Sequence, residues 1–562
     1  MTLFDATVEN AVSTFKGRLL DFDPFKFQHS LGAIFSSIFR VADLSVGYVL
    51  YSQEDAQACD LNDVMSDRSI VINTHTGVDN PIQLWKAYRE LAGSGRYIAF
   101  SDLSNLSAKG TDKLVLKHLE AANYRSLILA PVSDGAKLLG VLEIASPRTG
   151  ELNSITANKL DVVMPHFTDK LNQMSFEMEN KIQAMIQRNF TTLHASVNWK
   201  FRQQAKQHLH ESGQDSVIAG PGEIVFDGLV PMYGQVDVAG SSIARNLSVK
   251  KDLMRQLSSA LKLLLKIQMK QNEAVLAAVI SELQLQLHKL TEIFQVSAEH
   301  HLQIYLSEHV HPLLKTYHDR VAAGSVDRYL AASADKHGRF QFYRRKYEDT
   351  LAKINAALVI ELDRQQEIAQ RIFPHYYERF KSDGIEHTLY LGQSISPTHN
   401  YKPHIIQLLR AWQLRTTCQM MVEHHRIRPS LPYPLKVTAL ILVYHTQIAI
   451  RFRMDEKRFD VDGTYNARFE MVKKRIDKAH VKGTAKRIVR AGSVTVVFTS
   501  AAERTHYLEH IQLLQQENLL APQIENFDIE DLQGLVGLKG IMVRVICPDQ
   551  DLTDSVQIKG LM

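Results

Sequence analysis

Three carboxylates lie close together in the last third of the chain: Asp455, Asp460 and Asp462. They follow a predicted strand, and carboxylates grouped in this way can hold a magnesium ion for an enzyme that acts on nucleotides. The same side chains also suit a turn, because Asp462-Gly463 is a common turn dipeptide and acids are favoured where a helix begins. The cluster therefore indicates either the metal site of a nucleotide-processing enzyme or a turn followed by a helix.

A run of cations comes directly after these carboxylates. Its members share one predicted helix and the turn that follows it: Lys473, Lys474, Arg475, Lys478, Lys482, Lys486, Arg487 and Arg490. Such a run could neutralise the phosphates of a nucleic acid, with an affinity that falls as salt rises. No recognition-helix motif or stacking aromatic accompanies it. We therefore favour a solvated face, or pairing with the acidic run Glu525–Asp531, and do not expect nucleic acid as a partner.

A second phosphate-binding candidate lies at the start of a predicted helix, where Gly240, Ser241, Ser242 and Arg245 follow a short predicted strand at Val236–Val238. Unpaired amides and the helix dipole attract anions at such a position. The spacing fits no P-loop or dinucleotide fingerprint, and a serine hydroxyl could simply cap the helix. Phosphate binding and capping both remain open.

Histidines are the remaining candidates for metal ligands. Four of them lie in a predicted helix: His300, His301, His309 and His311. The Glu-x-x-His spacing of a di-metal bundle does not recur there, and the pair His424-His425 has only Cys418 nearby. No nucleophile elbow, and no motif of a histidine kinase, nucleotide cyclase or phosphodiesterase, is recognisable. The sequence therefore assigns no catalytic residue and no metal ligand, and leaves the cofactor open.

Length and composition bound the class of protein. The chain has 562 residues, which suggests about three or four domains, and its net charge of +4 is too small to argue for a polyanionic partner. The cysteines Cys59, Cys418 and Cys547 lie far apart and match no metal spacing, which fits a reducing compartment. No apolar run approaches the roughly 20 residues that span a bilayer. We expect a cytoplasmic protein with no membrane partner.

The elements that organise the first third lie between Tyr124 and Met174. Leu127 and Leu129 alternate with Ile128 and Ala130 before the turn dipeptide Asp134-Gly135, and a second alternating strand follows, which predicts an antiparallel hairpin. The next apolar residues recur at helical spacing and predict a helix that covers the hairpin: Leu160, Val163, Phe167, Leu171 and Met174. This order resembles the closing half of a GAF domain, a small sensory α/β module, over residues 20 to 180.

The resemblance to GAF domains implies a ligand pocket beside the sheet, and it indicates Trp85, Tyr88, Tyr97 and Phe100 as candidate neighbours of a small-molecule ligand. The same aromatics could equally be core residues. The apolar stripe continues past the domain through Met178, Ile182 and Met185, which suggests a signalling helix or the contact of a homodimer. Packing within its own chain is the alternative, and Pro165 argues against one unbroken helix.

The remaining sequence predicts three further regions. A short helix at 1–20 precedes the GAF-like domain at 21–185, a connector spans 186–246, and four leucine-rich stripes predict a helical bundle at 247–372. Five strands alternate with helices at 373–562: Thr388–Gln393, Lys436–His445, Ile448–Met454, Val494–Ser500 and Ile541–Cys547. The fold class is therefore α+β and multidomain, with a loosely ferredoxin-like order in the carboxyl-terminal domain from Ile448 to Cys547.

Three functions from different classes follow from these features. The first is a signal-transduction or regulatory protein whose GAF-like domain binds a small ligand or mediates dimerisation. The second is a nucleotide-processing enzyme that uses Asp455, Asp460 and Asp462, and the third is nucleic-acid binding through the basic stretch Lys473–Arg490. We favour the first, without an enzymatic activity. The stretch Phe226–Asn246 also resembles a segment of bacterial GAF-bearing proteins, a resemblance that implies no particular activity.

Overall fold

The structure is a computed structural model of the chain. It describes residues 13, 17, 27–50, 69–70, 97–105, 119–120, 122–135, 137–190, 193–211, 223–271, 273–292, 296–320, 324–335, 338–397, 399–444, 446–455, 457–462, 469, 472–532 and 536–547. The chain divides into two compact units, the first of residues 1–192 and 200–222, the second of residues 193–199 and 223–562. Apart from positions 13 and 17, the predicted helix at 1–20 lies outside the described residues.

A four-stranded antiparallel sheet with the order β1-β4-β3-β2 forms the centre of the first unit. Its strands are β1 (Ser45–Leu50), β2 (Ile98–Phe100), β3 (Ser126–Asp134) and β4 (Lys137–Ser146). β3 and β4 are joined by a turn in which Gly135 has a φ of 59°, a left-handed conformation that glycine adopts without strain. The predicted hairpin is confirmed.

Helices cover one face of this sheet: α1 (Phe27–Phe39), α2 (Ser154–Ala157) and α3 (Met164–Asn189). Phe35 of α1 and Phe167 of α3 share a buried core with Ile128 and Leu142 of the hairpin. The predicted helix begins later than its apolar pattern suggests, because Asn158–Val162 forms a 3-10 helix. Pro165 lies in the first turn of α3, where its missing N–H removes no helical hydrogen bond.

The second half of α3 carries both buried and exposed side chains. Ile182 and Ile186 are both buried, and the rings of Phe190 and Phe201 meet edge to face with centroids 4.6 Å apart. Phe201 belongs to α4 (Ala195–Glu211), whose first residues are counted with the second unit. Of the predicted stripe, Ile182 is therefore buried within its own chain, Met178 and Met185 are half-buried, and the homodimer stays a prediction.

The helices of the second unit follow the predicted stripes. They are α5 (Ser241–Gln268), α6 (Ala274–Glu292), α7 (Val296–Tyr305), α8 (His311–Thr316), α9 (Ser325–Ala334) and α10 (Phe342–Ile372), with a π-helical turn at Leu306–Val310 between α7 and α8. A leucine-rich core holds α5 to α9 together, with Leu257, Leu264, Leu283 and Leu314 among its members. The residues predicted to form a helical bundle are therefore helical, with α5 beginning slightly earlier, at Ser241.

A nine-stranded sheet carries the rest of the second unit. Its strands are β5 (Val225–Val238), β6 (Tyr376–Lys381), β7 (Gly384–Leu391), β8 (Val437–Val443), β9 (Ile448–Arg453), β10 (Arg458–Asp462), β11 (Ser493–Phe498), β12 (Leu520–Asp528) and β13 (Lys539–Val545). The main path runs β6-β7-β5-β8-β11-β13-β12, and all neighbours are antiparallel except β8 and β11. β9 and β10 form a hairpin on the first residues of β5.

The position of β5 corrects two predictions. β5 is a central strand paired with both β7 and β8, whereas the sequence analysis placed it in a connector, residues 186–246, with only a short strand at its end. The full length of β5 was hidden because Gly228, Pro231 and Gly234 interrupt its sequence, and glycine and proline are uncommon inside strands. The predicted ferredoxin-like order over Ile448–Cys547 is not observed either, because β5 and β8, which lie outside that stretch, separate β9 from β11 in the sheet.

The two faces of the large sheet pack against different elements. α10, α11 (Pro403–Ile427) and α12 (Ala501–Gln516) cover the face that carries Val236, Ile385 and Ile441. The residues between β10 and β11 cover the opposite face, where Phe469 and Ile476 pack on Tyr233. Short 3-10 helices lie at Leu103–Asn105, His318–Arg320, Arg339–Gln341 and Arg428–Ser430. Tyr233, Gln235 and Asp237 therefore share the face opposite α10 and α11.

Within the described part of the chain, no helix combines the length and the apolar character needed to cross a lipid bilayer.

Candidate functional site

Two of the four aromatic residues predicted to line a pocket, Tyr97 and Phe100, lie among the described residues. Trp85 and Tyr88 lie outside the described residues. Tyr97 packs against the core under α1 and α3, and burial, with help from a hydrogen bond to Asp161, raises the pKa of Tyr97 to about 12. Phe100 pairs with Leu127 on the other face of the sheet. Tyr97 is therefore a core residue, and the two described members of the set lie on opposite faces.

A buried carboxylate that the sequence analysis missed lies on that other face. Glu143 of β4 is fully buried, and it accepts hydrogen bonds from the Ser69 hydroxyl at 2.7 Å and the Ile70 amide at 2.5 Å. The sequence signal was a charged residue within a strand of otherwise apolar residues. Because these donors satisfy the carboxylate, Glu143 ties residues 69–70 to the sheet.

The carboxylates predicted to bind a metal are held by an arginine. Arg453 pairs with Asp455 at 2.8 Å and with Asp460 at 3.5 Å, and all three side chains are exposed on the β9–β10 hairpin. The side chain of Asp462 lies outside the described residues. A guanidinium between two carboxylates occupies the position that a cation would need, so this hairpin is a weak candidate for a magnesium site.

Part of the basic stretch pairs with the acidic run, as its charge suggests. Lys482 contacts Asp531 at 3.5 Å, and Arg490 contacts Glu525 at 2.8 Å. Lys473 lies over the rings of Tyr233 and Phe469, 5.2 Å from each centroid. These contacts place the cations on the second unit's own surface and favour a structural role for the stretch.

The histidines predicted not to form a metal site are dispersed. His300, His301 and His309 are exposed, and His311 is half-buried with its ring against Tyr329. Burial lowers the pKa of His424 to about 4, and its Nε2 lies 3.1 Å from the Leu435 carbonyl. Among the described residues, no group of three or more His, Cys, Asp or Glu side chains could hold a metal ion.

The predicted phosphate-binding residues begin α5, directly after β5. Gly240 is the N-cap, in the left-handed conformation with a φ of 69°, and no side chain caps the helix. Ser241 is buried, whereas Ser242 and Arg245 are exposed. The expected serine cap is therefore wrong, because glycine occupies the capping position. The first amides of α5 receive no side-chain cap and remain available to an anion.

The distinctive group beside this helix start is Asp237. Its Oδ1 atom is buried, and no described residue forms a hydrogen bond with it. Burial raises the pKa of Asp237 to about 6, although the neighbouring Val238 amide lowers it, and three acids nearby add to the rise through their negative charge: Asp383, Asp477 and Glu386. None of these four acids forms an ion pair with a described residue. A buried oxygen without a donor, surrounded by like charges, is a position that favours a cation.

Asp383 is presented to Asp237 by the tight turn between β6 and β7. The Ser382 amide donates to the Gly384 carbonyl at 3.0 Å, and the Val238 amide donates to the Asp383 carbonyl at 3.3 Å. A Cβ at Gly384 would lie 2.2 Å from the Val236 carbonyl oxygen and 2.9 Å from Asp237 Oδ1. Glycine at this position therefore lets the turn approach β5 closely enough to bring the two aspartates together.

The neighbouring side chains keep this corner of the sheet polar. Tyr233 donates a hydrogen bond to Glu386 at 3.2 Å, and Glu386 pairs across the strands with Gln235. Asp477 reaches the same side from the segment that covers Tyr233, and burial raises its pKa. The arrangement concentrates negative charge beside the uncapped start of α5. It can hold a divalent cation that is shared with a bound anion.

Two sequence signals could have located this group. Asp237 and Gly240 lie three residues apart at a strand-to-helix transition, and Asp383-Gly384 is a turn dipeptide shortly before the predicted strand Thr388–Gln393. The two stretches are far apart in the chain, so only the pairing of β5 with β7 reveals their proximity.

Comparison with known proteins adds no assignment: no model of a protein family matches the chain, and no curated protein is detectably similar to it.

Proposed function

We propose that this chain is a regulatory protein of the cytoplasm whose second unit binds a divalent cation together with the polyphosphate of a nucleotide. Asp237 and Asp383 are the cation ligands in this proposal, and the first amides of α5 receive a phosphate. The first unit serves as a GAF-like sensory module. The proposal keeps the regulatory function inferred from the sequence and moves the nucleotide site from the β9–β10 hairpin to the β5–β7 corner.

One observation carries the nucleotide site, namely the buried Oδ1 of Asp237 for which no described residue supplies a hydrogen bond. Leaving such an oxygen unsatisfied costs about 1–3 kcal/mol or more when it is charged. The negative charges of Asp383, Asp477 and Glu386 repel the Asp237 carboxylate. Either a proton on Asp237 or a bound cation would remove this repulsion. A cation satisfies the oxygen and the charge at the same time.

The pair Asp237 and Asp383 suits Mg²⁺ better than a metal ion that takes all of its ligands from protein side chains. Mg²⁺ commonly takes one or two carboxylates and completes its shell with water and substrate phosphates. Two aspartates at the edge of a sheet and an uncapped helix start next to them provide both parts of that arrangement. Arg245 in the first turns of α5 adds a positive charge on the phosphate side.

The test measures binding of Mn²⁺, a spectroscopic substitute for Mg²⁺, to the full chain by electron paramagnetic resonance, with and without a non-hydrolysable nucleoside triphosphate analogue. We expect the analogue to tighten Mn²⁺ binding, because its phosphates complete the coordination. Asp237→Asn and Asp383→Asn should each weaken Mn²⁺ binding by about tenfold or more, as loss of one carboxylate ligand implies.

Asp455→Asn is the matched control, because it removes an exposed carboxylate that Arg453 already pairs. It should leave Mn²⁺ binding unchanged. The unfolding temperature of metal-free Asp237→Asn should not fall, because the change removes a charge that its neighbours repel. Equal loss in Asp455→Asn and Asp237→Asn, or no Mn²⁺ binding by the unaltered chain, would refute the proposed site.

The sensory part of the proposal is supported by the order of elements in the first unit. A helix, a strand and a final hairpin covered by a long helix follow one another as the GAF resemblance implies, and the sheet order is β1-β4-β3-β2. The small-molecule ligand and the homodimer stay predictions. Native mass spectrometry of protein from its own source tests both, since a retained molecule adds a defined mass and a dimer doubles it.

A further inference from the structure

The longest helix of the second unit runs from the helical bundle to the β5–β7 corner. α10 has 31 residues and is therefore about 46 Å long at 1.5 Å per residue. Near its start, the Tyr343 and Arg344 amides donate to the carboxylate of Asp252 on α5, at 3.1 and 2.9 Å. Further along, Ile354 and Leu358 belong to the core beneath the large sheet. One continuous helix is thus fastened to both regions.

Asn355 of α10 contacts the turn that carries Asp383. Its Nδ2 donates a hydrogen bond to the Ser382 carbonyl at 3.2 Å, one residue before Asp383. The next carbonyl of the turn, that of Asp383, accepts a hydrogen bond from the Val238 amide of β5. The turn is therefore held from two sides, by the strand that carries Asp237 and by α10.

Tyr347, two helical turns before Asn355, packs near the other half of the corner. Its ring is buried with Ala244 of α5 and Tyr433. Burial raises the pKa of Tyr347 to about 12, and the negative charges of Asp383 and Asp237 contribute to the rise while Arg245 opposes it. Both aspartates therefore lie within electrostatic range of this tyrosine.

We propose that Asn355 is a positioning residue that sets the place of the Asp383 carboxylate, and that α10 thereby links the helical bundle to the cation site. The proposal rests on the function proposed above. Asn355 itself touches neither cation nor nucleotide: it acts through the Ser382 carbonyl. Any movement of the bundle that shifts α10 along its axis would shift Asp383 relative to Asp237.

The experiment compares Mn²⁺ affinity in the full chain for Asn355→Ala and Asn355→Asp, by electron paramagnetic resonance. Asn355→Ala removes the donor, and we expect about fivefold weaker binding, as loss of one hydrogen bond implies. Asn355→Asp keeps the shape but turns an acceptor towards the Ser382 carbonyl, so the turn is pushed away and binding weakens further. A packing role predicts the reverse order, with the isosteric aspartate closer to the unaltered protein.

Two controls separate these outcomes from unfolding and from failure of the nucleotide site. Alanine favours a helix more than asparagine does, so the unfolding temperature of metal-free Asn355→Ala should stay equal or rise. Asn172→Ala, which removes a side-chain donor to Asp134 in the first unit, should leave Mn²⁺ affinity unchanged. Absence of Mn²⁺ binding in the unaltered chain refutes the proposed function itself. Normal binding in both Asn355 variants refutes only the positioning role.

Discussion

Three buried histidines link the stability of the second unit to pH. His375 and His387 are almost fully buried, and burial lowers the pKa of each to about 4, as it does for His424. All three are neutral at pH 7 in the folded and the unfolded chain. Below the ordinary pKa of about 6.5, only the unfolded chain takes up the protons, so the folded state loses stability as the pH falls from 6.5 towards 4.

We expect each of these histidines to lower the free energy of unfolding by about 2 kcal/mol between pH 7 and pH 5. His424→Gln retains a donor for the Leu435 carbonyl and should lose about 2 kcal/mol less over that interval than the unaltered chain. Urea unfolding followed by circular dichroism at the two pH values measures the difference. His300→Gln is the control, because His300 is exposed; an equal effect in the two variants would contradict the assignment to burial.

At the level of single residues, the sequence predicted the start of α5 but did not indicate the importance of Asp237. Gly240 and Ser241 do begin a helix directly after a strand, as the turn chemistry predicts. Asp237 escaped notice because a single acid near a strand end is common in sequences. Its significance comes from burial and from Asp383, and neither is visible before the strands are paired.

At the level of elements, the start of α10 depends on a side chain from another helix. Gln341, its N-cap, supplies no capping bond, and Asp252 of α5 accepts from two amides of the first turn instead. Asp252 is buried, so these bonds form away from water. A cap supplied by a distant residue couples the two helices, because neither amide has another described side-chain acceptor.

Asp252→Ala should therefore lower the free energy of unfolding by about 2–3 kcal/mol, since it leaves two buried amides without a charged acceptor. Chemical denaturation of the full chain measures this change. Asp349→Ala is a matched control on α10, where the aspartate is exposed, and should change stability by less than about 0.5 kcal/mol. A loss in Asp349→Ala as large as that in Asp252→Ala would show that the cap contributes nothing specific.

Strands and helices whose apolar residues recur at a regular spacing could be predicted from the sequence. Those with few buried side chains could not. The hairpin β3–β4 and the strands β8, β11 and β13 were predicted because their apolar residues are continuous or strictly alternating. β6 and β12 were missed because most of their side chains are partly or fully exposed, as expected for strands at the two ends of the main path. The 3-10 helix at Asn158–Val162 and the position of Pro165 in the first turn of α3 could not be predicted from the apolar spacing alone.

At the level of the whole molecule, two compact units imply two cooperative unfolding events. We expect calorimetry of the full chain to show two heat-absorption transitions. Mn²⁺ with a triphosphate analogue should raise the temperature of one of them and leave the other unchanged, because a ligand stabilises only the unit that binds it. Trp199 and Trp412 belong to the second unit, and Trp85 belongs to the first.

Fluorescence of Trp85→Phe, in which Trp199 and Trp412 remain, should therefore report the transition that the ligand shifts. A single transition in calorimetry, or a ligand-induced shift that these two tryptophans do not report, would contradict the assignment of the nucleotide site to the second unit.

The division of the chain was the part of the architecture least accessible from sequence. The bundle and the carboxyl-terminal strands looked like separate domains because their hydrophobic periods differ. Yet β5 precedes the bundle and pairs with β7 and β8, which follow it, so both regions belong to one compact unit. Nothing in the composition of the bundle indicates that it is inserted between β5 and β7, two strands that are neighbours in the sheet.

The insertion of the bundle also affects how this chain is made. β5 leaves the ribosome long before its partners, because residues 239–383 must be synthesised before β7 begins. At about 5–20 residues per second, this takes roughly 7–30 s. During that time β5 has no partner strand for its backbone hydrogen bonds, and its apolar side chains stay uncovered. The nascent polypeptide therefore exposes an unpaired strand, which we expect a holding chaperone, or early collapse of the bundle over it, to shield until β7 has been made.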